Sequence, residues 1–449
     1  MTGSRSWTDD EVKQSTLDHV HTQALWFPRI QEAAKQYATT LAAGDASAWH
    51  ERRLAALLDH AVASVPAYRA LGQEVRVAAS PAQALACFPV VDREILVEQL
   101  VAHCSEPLDP TSANIAYTSG TSTGSPLKFV VNHEHLIETY GAAYARREQL
   151  GIELHSRTLR PCQEILQSWY EYTEPAHGFA HVAAFGLRNL SPDDRCELAR
   201  RSARFAPQTL AALPSQLLEF AGLLEESGVR LPQVRLIQTY GEFLDPRVRR
   251  RLEGYFSAAV VDAYGLREVS TVAAQCTAGS HHVEVPRVRV EVVGPDDSPQ
   301  PPGTSGEIVV TELVNRAMPF IRYRTGDVGS VTTQECPCGL DWPMLLIADA
   351  RKDSGTLRLA NGHMVALVNV VAVLRRFAVE RFQVVQRTPR SSELRVWLMP
   401  DADAGELARI QRDLKQELGS PADTGIELVH TRDFLVGPGG KHRELVNES

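Results

Sequence analysis

Eight consecutive residues, Thr118 to Ser125, are each either a glycine or a hydroxyl side chain. Such a run buries nothing, and its glycines free the backbone from regular structure. It must be an exposed connection. Pro126 and the strand-like Leu127-Lys128-Phe129-Val130-Val131 follow it, so it reads as a turn between two strands. Three readings stay open at this point. Backbone N–H groups and hydroxyls of the loop, with Lys128 as a point charge, suit a triphosphate. Gly120-Thr121-Ser122-Thr123-Gly124 also fits the Gly-x-Ser-x-Gly elbow, with Ser122 as a hydrolase nucleophile, although an elbow opens a helix. The third reading is a solvated turn without a ligand. The Gly-x-x-x-x-Gly-Lys-Ser/Thr spacing of the common P-loop is absent.

A chain of 449 residues exceeds one ordinary core, which predicts two or three domains. Its formal net charge of -9 argues against a nucleic-acid partner, whose phosphates need Lys and Arg. The polar, acidic segment Met1 to Val20 does not read as a signal peptide, and no apolar run is long enough to span a membrane. Seven scattered cysteines do not form a disulfide framework, so a reducing, cytoplasmic location is expected.

Residues 16–71 read as helical, with Leu54, Leu57, Leu58 and Ala61 on one face and Pro66 as a stop. Asp92 is placed to cap a further helix. The middle of the chain alternates strand-like segments (235–239, 259–262) with helical ones (216–226, 246–254), which predicts an α/β class. From Val283 the pattern turns strand-rich, with Gly294 to Gly306 as a hairpin loop. A polar run, Arg351 to Gly355, marks a domain boundary.

With these motifs in view, the chain resembles the acyl-adenylate-forming superfamily. The loop is similar to that superfamily's phosphate loop. Gly241-Glu242 resembles its adenine-binding segment, Tyr264-Gly265-Leu266-Arg267-Glu268 its Tyr-Gly-x-Thr-Glu motif, and Tyr323-Arg324-Thr325-Gly326-Asp327 its ribose-binding motif. Gly440-Lys441 resembles the segment with the catalytic lysine. Leu57 to Ala61 with Val65 to Arg69 resembles the phenylacetate–coenzyme A ligase branch.

The resemblance implies an α/β fold. A large N-terminal adenylate-forming domain, residues 1–350, would have mixed sheets, helices and a small β-rich subdomain. A small, mobile α+β domain, residues 351–449, would carry Lys441. ATP would meet Ser119, Gly120, Thr121, Ser122, Thr123, Gly124, Gly241, Glu242, Tyr264, Gly265, Asp327 and Arg351. Lys441, Glu268 and Thr121 would serve catalysis, with Glu268 holding Mg²⁺, a cation that prefers carboxylate oxygen. Asp353 would be the hinge for domain rotation. The glycine-rich stretch expected after that hinge is replaced by Arg358 to Met364.

Cys276, His281, His282, Cys336 and Cys338 form a separate constellation. Thiolates with an imidazole suit tetrahedral Zn²⁺, and a full set of four ligands means a structural role. Resemblance to branch relatives favours His282 over His281 as the fourth ligand. Unliganded buried thiols are the plainer alternative.

The expected function is ATP- and Mg²⁺-dependent activation of a small, aromatic carboxylic acid, followed by transfer to a thiol such as coenzyme A or an acyl-carrier protein. Trp169, Tyr170 and Tyr172 are candidate walls for an aryl group. Three alternatives stand beside it: an adenylating enzyme with a nitrogen nucleophile or a non-carboxylate substrate, a non-catalytic nucleotide-binding homologue, and the Ser122 hydrolase. The sequence leaves the acid, the acceptor and the choice between monomer and homodimer open.

Overall fold

The computed structural model describes residues 9–43, 46–109, 112–118, 127–152, 155–162, 169–175, 179–187, 190–351, 356–374, 376–388, 390–400, 402–418, 424–435, 442 and 444–448. The chain divides into two compact units, Met1–Ile347 and Ala348–Ser449. Among the described residues no helix is long and apolar enough to cross a membrane.

A 12-stranded mixed sheet organises the first unit. Its parallel centre comprises Ala180–Gly186, Arg157–Cys162, Thr209–Ala212, Leu236–Tyr240 and Ala259–Leu266. Helices Pro192–Phe205, Pro214–Glu226 and Pro246–Phe256 make the crossovers. Each helix has Pro in its first turn, where the missing N–H costs nothing. Tyr170–Glu174 closes one end of the sheet by pairing antiparallel with Ala180–Gly186.

Beyond Ala259–Leu266 the sheet continues antiparallel through Ser270–Gln275 and His281–Val283. Met344–Arg351, Tyr323–Thr332, Gly306–Glu312 and Val288–Val293 complete it. The strand-rich region anticipated from Val283 onward is therefore an extension of the central sheet. Its Val288–Val293/Gly306–Glu312 pair is a hairpin, with Val293 opposite Glu307.

Helices Asp9–Ala43 and Ser47–Ser64 precede the sheet, and the second ends just before Pro66. Leu54, Leu57, Leu58 and Ala61 are all buried against Tyr68, Phe88 and Leu313. Asp92 caps Arg93–Glu98 by accepting the Ile95 N–H at 2.9 Å. Ala113–Tyr117 pairs antiparallel with Lys128–Asn132, Tyr117 opposite Lys128. The chain that leaves the hydroxyl-rich loop thus returns as a strand, unlike the strand-to-helix turn of a nucleophile elbow.

The second unit is α+β. Val379–Thr388 pairs antiparallel with Ser391–Leu398, and Ile426–His430 and Leu445–Asn447 add in parallel on either side. Helices Leu367–Leu374 and Glu406–Leu418 supply Val370, Ile410 and Leu414 to a core with Leu357, Val384 and Val396.

Candidate active site

The hydroxyl-rich loop is pinned at its base. Thr118 donates its backbone N–H to Leu127 O at 2.9 Å, and its hydroxyl accepts the Leu127 N–H at 2.8 Å. Arg93 also donates to that hydroxyl, at 3.2 Å. The loop residues Ser119, Gly120, Thr121, Ser122, Thr123 and Gly124 lie outside the described residues, as do Asp353 and Lys441.

Arg93 connects this base to the next motif, because its charge and that of Glu268 both act on Tyr323. Glu268 is 7% exposed and accepts the Tyr323 hydroxyl at 3.0 Å. Burial first, and Glu268 second, push the Tyr323 hydroxyl well above the ordinary phenol range, so it stays a donor. Asp327 is 9% exposed and accepts the Tyr264 hydroxyl at 2.8 Å. Two carboxylates are therefore each held by a tyrosine of the other's motif.

The strand Tyr323–Thr332 is fixed from both sides. Val91 and Tyr323 form a parallel bridge, with Val91 N–H to Arg322 O at 3.0 Å and Arg324 N–H to Val91 O at 2.9 Å. Thr325 donates to Ile308 O at 2.9 Å and accepts the Asp327 N–H at 3.0 Å. Gly326 has φ +77°, which suits a residue without Cβ. Arg322 pairs with Glu291, and Arg324 with Glu307 and Asp297, so these motif arginines brace the strand.

Tyr240 ends the strand Leu236–Tyr240, and Gly241 and Glu242 follow at its C-terminal end, where open α/β sheets bind ligands. Gly241 has φ +75°. The Glu242 carboxylate accepts the Ser215 N–H at 3.0 Å and the Ser215 hydroxyl at 2.9 Å. It thereby meets the positive end of helix Pro214–Glu226. Tyr240 and Phe243 remain exposed on either side. Gly265 belongs to a bulge in the strand Ala259–Leu266, and a Cβ there would lie 2.4 Å from Ser270 O, so the bulge accepts only glycine without rearrangement. Arg351 ends the strand Met344–Arg351.

The Cys/His constellation lies elsewhere in the unit. One ligand atom each from Cys276, His282, Cys336 and Cys338 falls within 4.8 Å of the others. Two tight turns present the thiols: Gly279 N–H to Cys276 O and Gly339 N–H to Cys336 O are both 2.9 Å, with Gly279 and Gly339 at positive φ. His282 is fully buried. Its Nδ1–H donates to Trp342 O at 2.9 Å, which leaves Nε2 facing Cys338 Sγ at 3.3 Å. That outer bond is the kind that sets the tautomer of a metal-binding imidazole. His281 points to the other face of its strand, where Asp262 accepts from its Nε2 at 3.0 Å. Burial pushes the Cys336 thiol up, but hydrogen bonds from the Cys338 backbone, Ser280 and His282 bring it below the usual thiol range. Arg146 lies near Cys276 and Cys338, so a cation stands beside the thiols. The donor set and its geometry fit a tetrahedral Zn²⁺.

Tyr323 and Arg93 were not singled out in the sequence. Tyr323 sits inside a recognised motif and was legible there, whereas Arg93 has no sequence signal.

The curated relatives match only part of the chain. A phenylacetate–coenzyme A ligase of Thermus thermophilus is 31% identical over 143 residues, 30% of this chain and 32% of that protein. One of Pseudomonas putida is 30% identical over 131 residues, 28% of this chain and 30% of that protein. The match thus spans about a third of the length of these relatives. The fold is shared more widely. A 2-hydroxyisobutyryl-CoA ligase, solved in a postadenylation state with its acyl-AMP, superposes with TM-score 0.67 at 20% identity, covering 89% of each chain. The same ligase with 2-HIB-AMP and CoA, in the thioesterification state, gives 0.56. The family model of AMP-binding enzymes matches residues 35–313, well over half of the chain, and the protein belongs to that family.

Proposed function

We propose that the chain uses ATP to activate a carboxylic acid as an acyl-adenylate and then transfers the acyl group to the thiol of coenzyme A. The observation that carries this reading is the convergence of Glu268 and Asp327, through Tyr323 and Tyr264, beside the base of the hydroxyl-rich loop. Asp327 would accept the ribose hydroxyls as a charged acceptor, and Tyr264 holds its carboxylate in place for that. The exposed ring of Phe243, two residues after Gly241, suits a flat adenine. Mg²⁺, held by Glu268, would screen the phosphate charge. The loop residues 119–124 would cradle the phosphates, Lys441 would meet the charge that builds on the α-phosphate, and Asp353 would be the hinge; these roles rest on the sequence motifs.

In the first step a carboxylate oxygen attacks the α-phosphorus and the bond to pyrophosphate breaks. In the second a thiol sulfur attacks the acyl carbon, AMP leaves with the former carboxylate oxygen, and the thiol proton is released. Cys276, His282, Cys336 and Cys338 would hold a structural Zn²⁺, their four ligands leaving no open position. Names of the relatives and of the solved ligases support coenzyme A as the acceptor and an acid as the substrate. Tyr170 and Tyr172, stacked on one sheet face, support an aromatic acid, whereas Trp169 lies on the other face against Phe185 and Phe205 and does not wall that site.

A panel of aryl and short aliphatic acids, each with ATP and Mg²⁺, tests the proposal. Pyrophosphate release and an acyl-AMP mass are expected with at least one acid. Release that ignores every acid, or ADP in place of AMP, would refute it.

A further inference from the structure

The sheet face beneath helix His133–Gln149 carries a polar cluster that the reaction as described does not use. The helix is tied to this face by Arg147, which donates to Gln238 at 3.3 Å, Ser156 at 3.0 Å and Thr158 at 3.4 Å. Two residues beyond Thr158, Arg160 emerges on the same face. Its guanidinium donates to the Tyr172 oxygen at 2.9 Å and to the two Glu174 carboxylate oxygens at 2.6 and 3.2 Å. The strand between Arg160 and Tyr172 presents the small residues Ala180, Val182 and Ala184 here, so side chains from both sides reach over it. Tyr172 is further steadied by the Tyr170 ring, 5.6 Å away and nearly parallel.

Tyr240 approaches the cluster from the nucleotide side. It ends the strand Leu236–Tyr240 immediately before Gly241, and that strand lies two positions from Arg157–Cys162, or roughly 10 Å. The residue as a whole is 43% exposed. Arg160, Cys162 and Glu174 all act on its hydroxyl, which is also close enough to act on Tyr172. No group among the described residues forms a hydrogen bond with the Tyr240 hydroxyl.

Both phenols are donors. Arg160 occupies one lone pair of the Tyr172 oxygen, so the Tyr172 hydrogen is directed away from the guanidinium. Burial pushes the Tyr172 hydroxyl up to about 12 and raises that of Tyr240, so both keep their protons at neutral pH. A wholly apolar acyl group laid on this floor would leave desolvated donors without acceptors, which costs more than such bonds contribute when made.

Resting on the adenylation reading, we infer that the acid this protein activates carries an acceptor oxygen, hydroxyl or phenolic, distal to its carboxyl group, and that Tyr172 and Tyr240 bind that oxygen. Arg160 and Glu174 are positioning residues, since they fix Tyr172 rather than touch the acid. A site built to hydrogen-bond a substrate group discriminates strongly against the analogue that lacks it.

The test compares matched acids on the full chain: phenylacetate with 4-hydroxyphenylacetate, and benzoate with 3- and 4-hydroxybenzoate. The oxygenated member of at least one pair is expected to be favoured at least about tenfold in kcat/KM. Tyr172→Phe, which keeps the ring and its stacking, and Tyr240→Phe should each move that ratio toward unity. Equal or reversed preference in the unaltered protein overturns the inference, as does a loss shared equally by both members of a pair. If no acid releases pyrophosphate, the adenylation reading fails separately. Calorimetric binding of the same pairs then decides the inference, and equal affinities overturn it.

Discussion

Replacing Glu268 with Gln is expected to slow ATP-dependent pyrophosphate release about 10²- to 10³-fold, the usual effect of losing one charge-stabilising group. The substitution changes one atom and removes one negative charge. The Tyr323 hydroxyl can still donate to the amide oxygen, so the local packing is retained. On the proposed reading, what is lost is a hard anionic oxygen that would hold Mg²⁺. The Mg²⁺ concentration needed for half-maximal rate should therefore rise along with the fall in kcat. Tyr323→Phe should have a smaller effect of the same sign, because it removes only the restraint on the carboxylate. The rates are measured by coupled pyrophosphate detection across a Mg²⁺ titration. A Glu268→Gln enzyme with unaltered rate and unaltered Mg²⁺ dependence would remove Glu268 from the site.

Stripping zinc is expected to have the largest effect on stability. On the proposed reading purified protein should carry about one equivalent of zinc, since Cys276, His282, Cys336 and Cys338 would supply four ligands. Folding brings these four residues together from two turns about 60 residues apart, so the energy of metal binding is folding energy. The turn 276–280 closes on itself through Cys276 N–H to Ser280 O at 2.9 Å, and His282 reaches the segment 336–342 through Trp342 O at 2.9 Å. Chelation, or Cys336→Ser, should lower the melting temperature by about 10 °C or more, in keeping with loss of a structural metal. His281→Ala should leave the zinc content unchanged, because Asp262, not the thiol cluster, is its partner. Protein that holds no zinc and melts identically with and without chelator would contradict the assignment.

Much of this architecture was legible in the sequence because it rests on local rules. Pro126 and the strand-like run Leu127 to Val131 after it announce a return strand, and Ala113–Tyr117 with Lys128–Asn132 forms that hairpin. Asp92 before Ile95 and Leu96 announces a cap, and the cap is made. Glu268 and Asp327 stood out through their motifs. What was hidden depends on contacts across long separations. Nothing near Arg93 reveals that it will meet Thr118 and the neighbourhood of Tyr323. The division of labour between His281 and His282 is set by strand alternation: adjacent residues face opposite sides, and one side is fully buried. The engagement of the Glu242 carboxylate by the N-terminus of Pro214–Glu226, a helix that begins 28 residues earlier, has no local signal in the sequence. The polar floor of Arg160, Tyr172 and Glu174 spans three strands, so only the assembled sheet brings it together.

The path of the carboxylate oxygen tests the account most directly. An accepted acid labelled with ¹⁸O in its carboxyl group, incubated with ATP, Mg²⁺ and coenzyme A, should deliver one labelled oxygen to the phosphate of AMP, read by mass spectrometry. Label in orthophosphate alongside ADP, or unlabelled AMP, would mean that the acid never bonds to the α-phosphorus and would contradict the account.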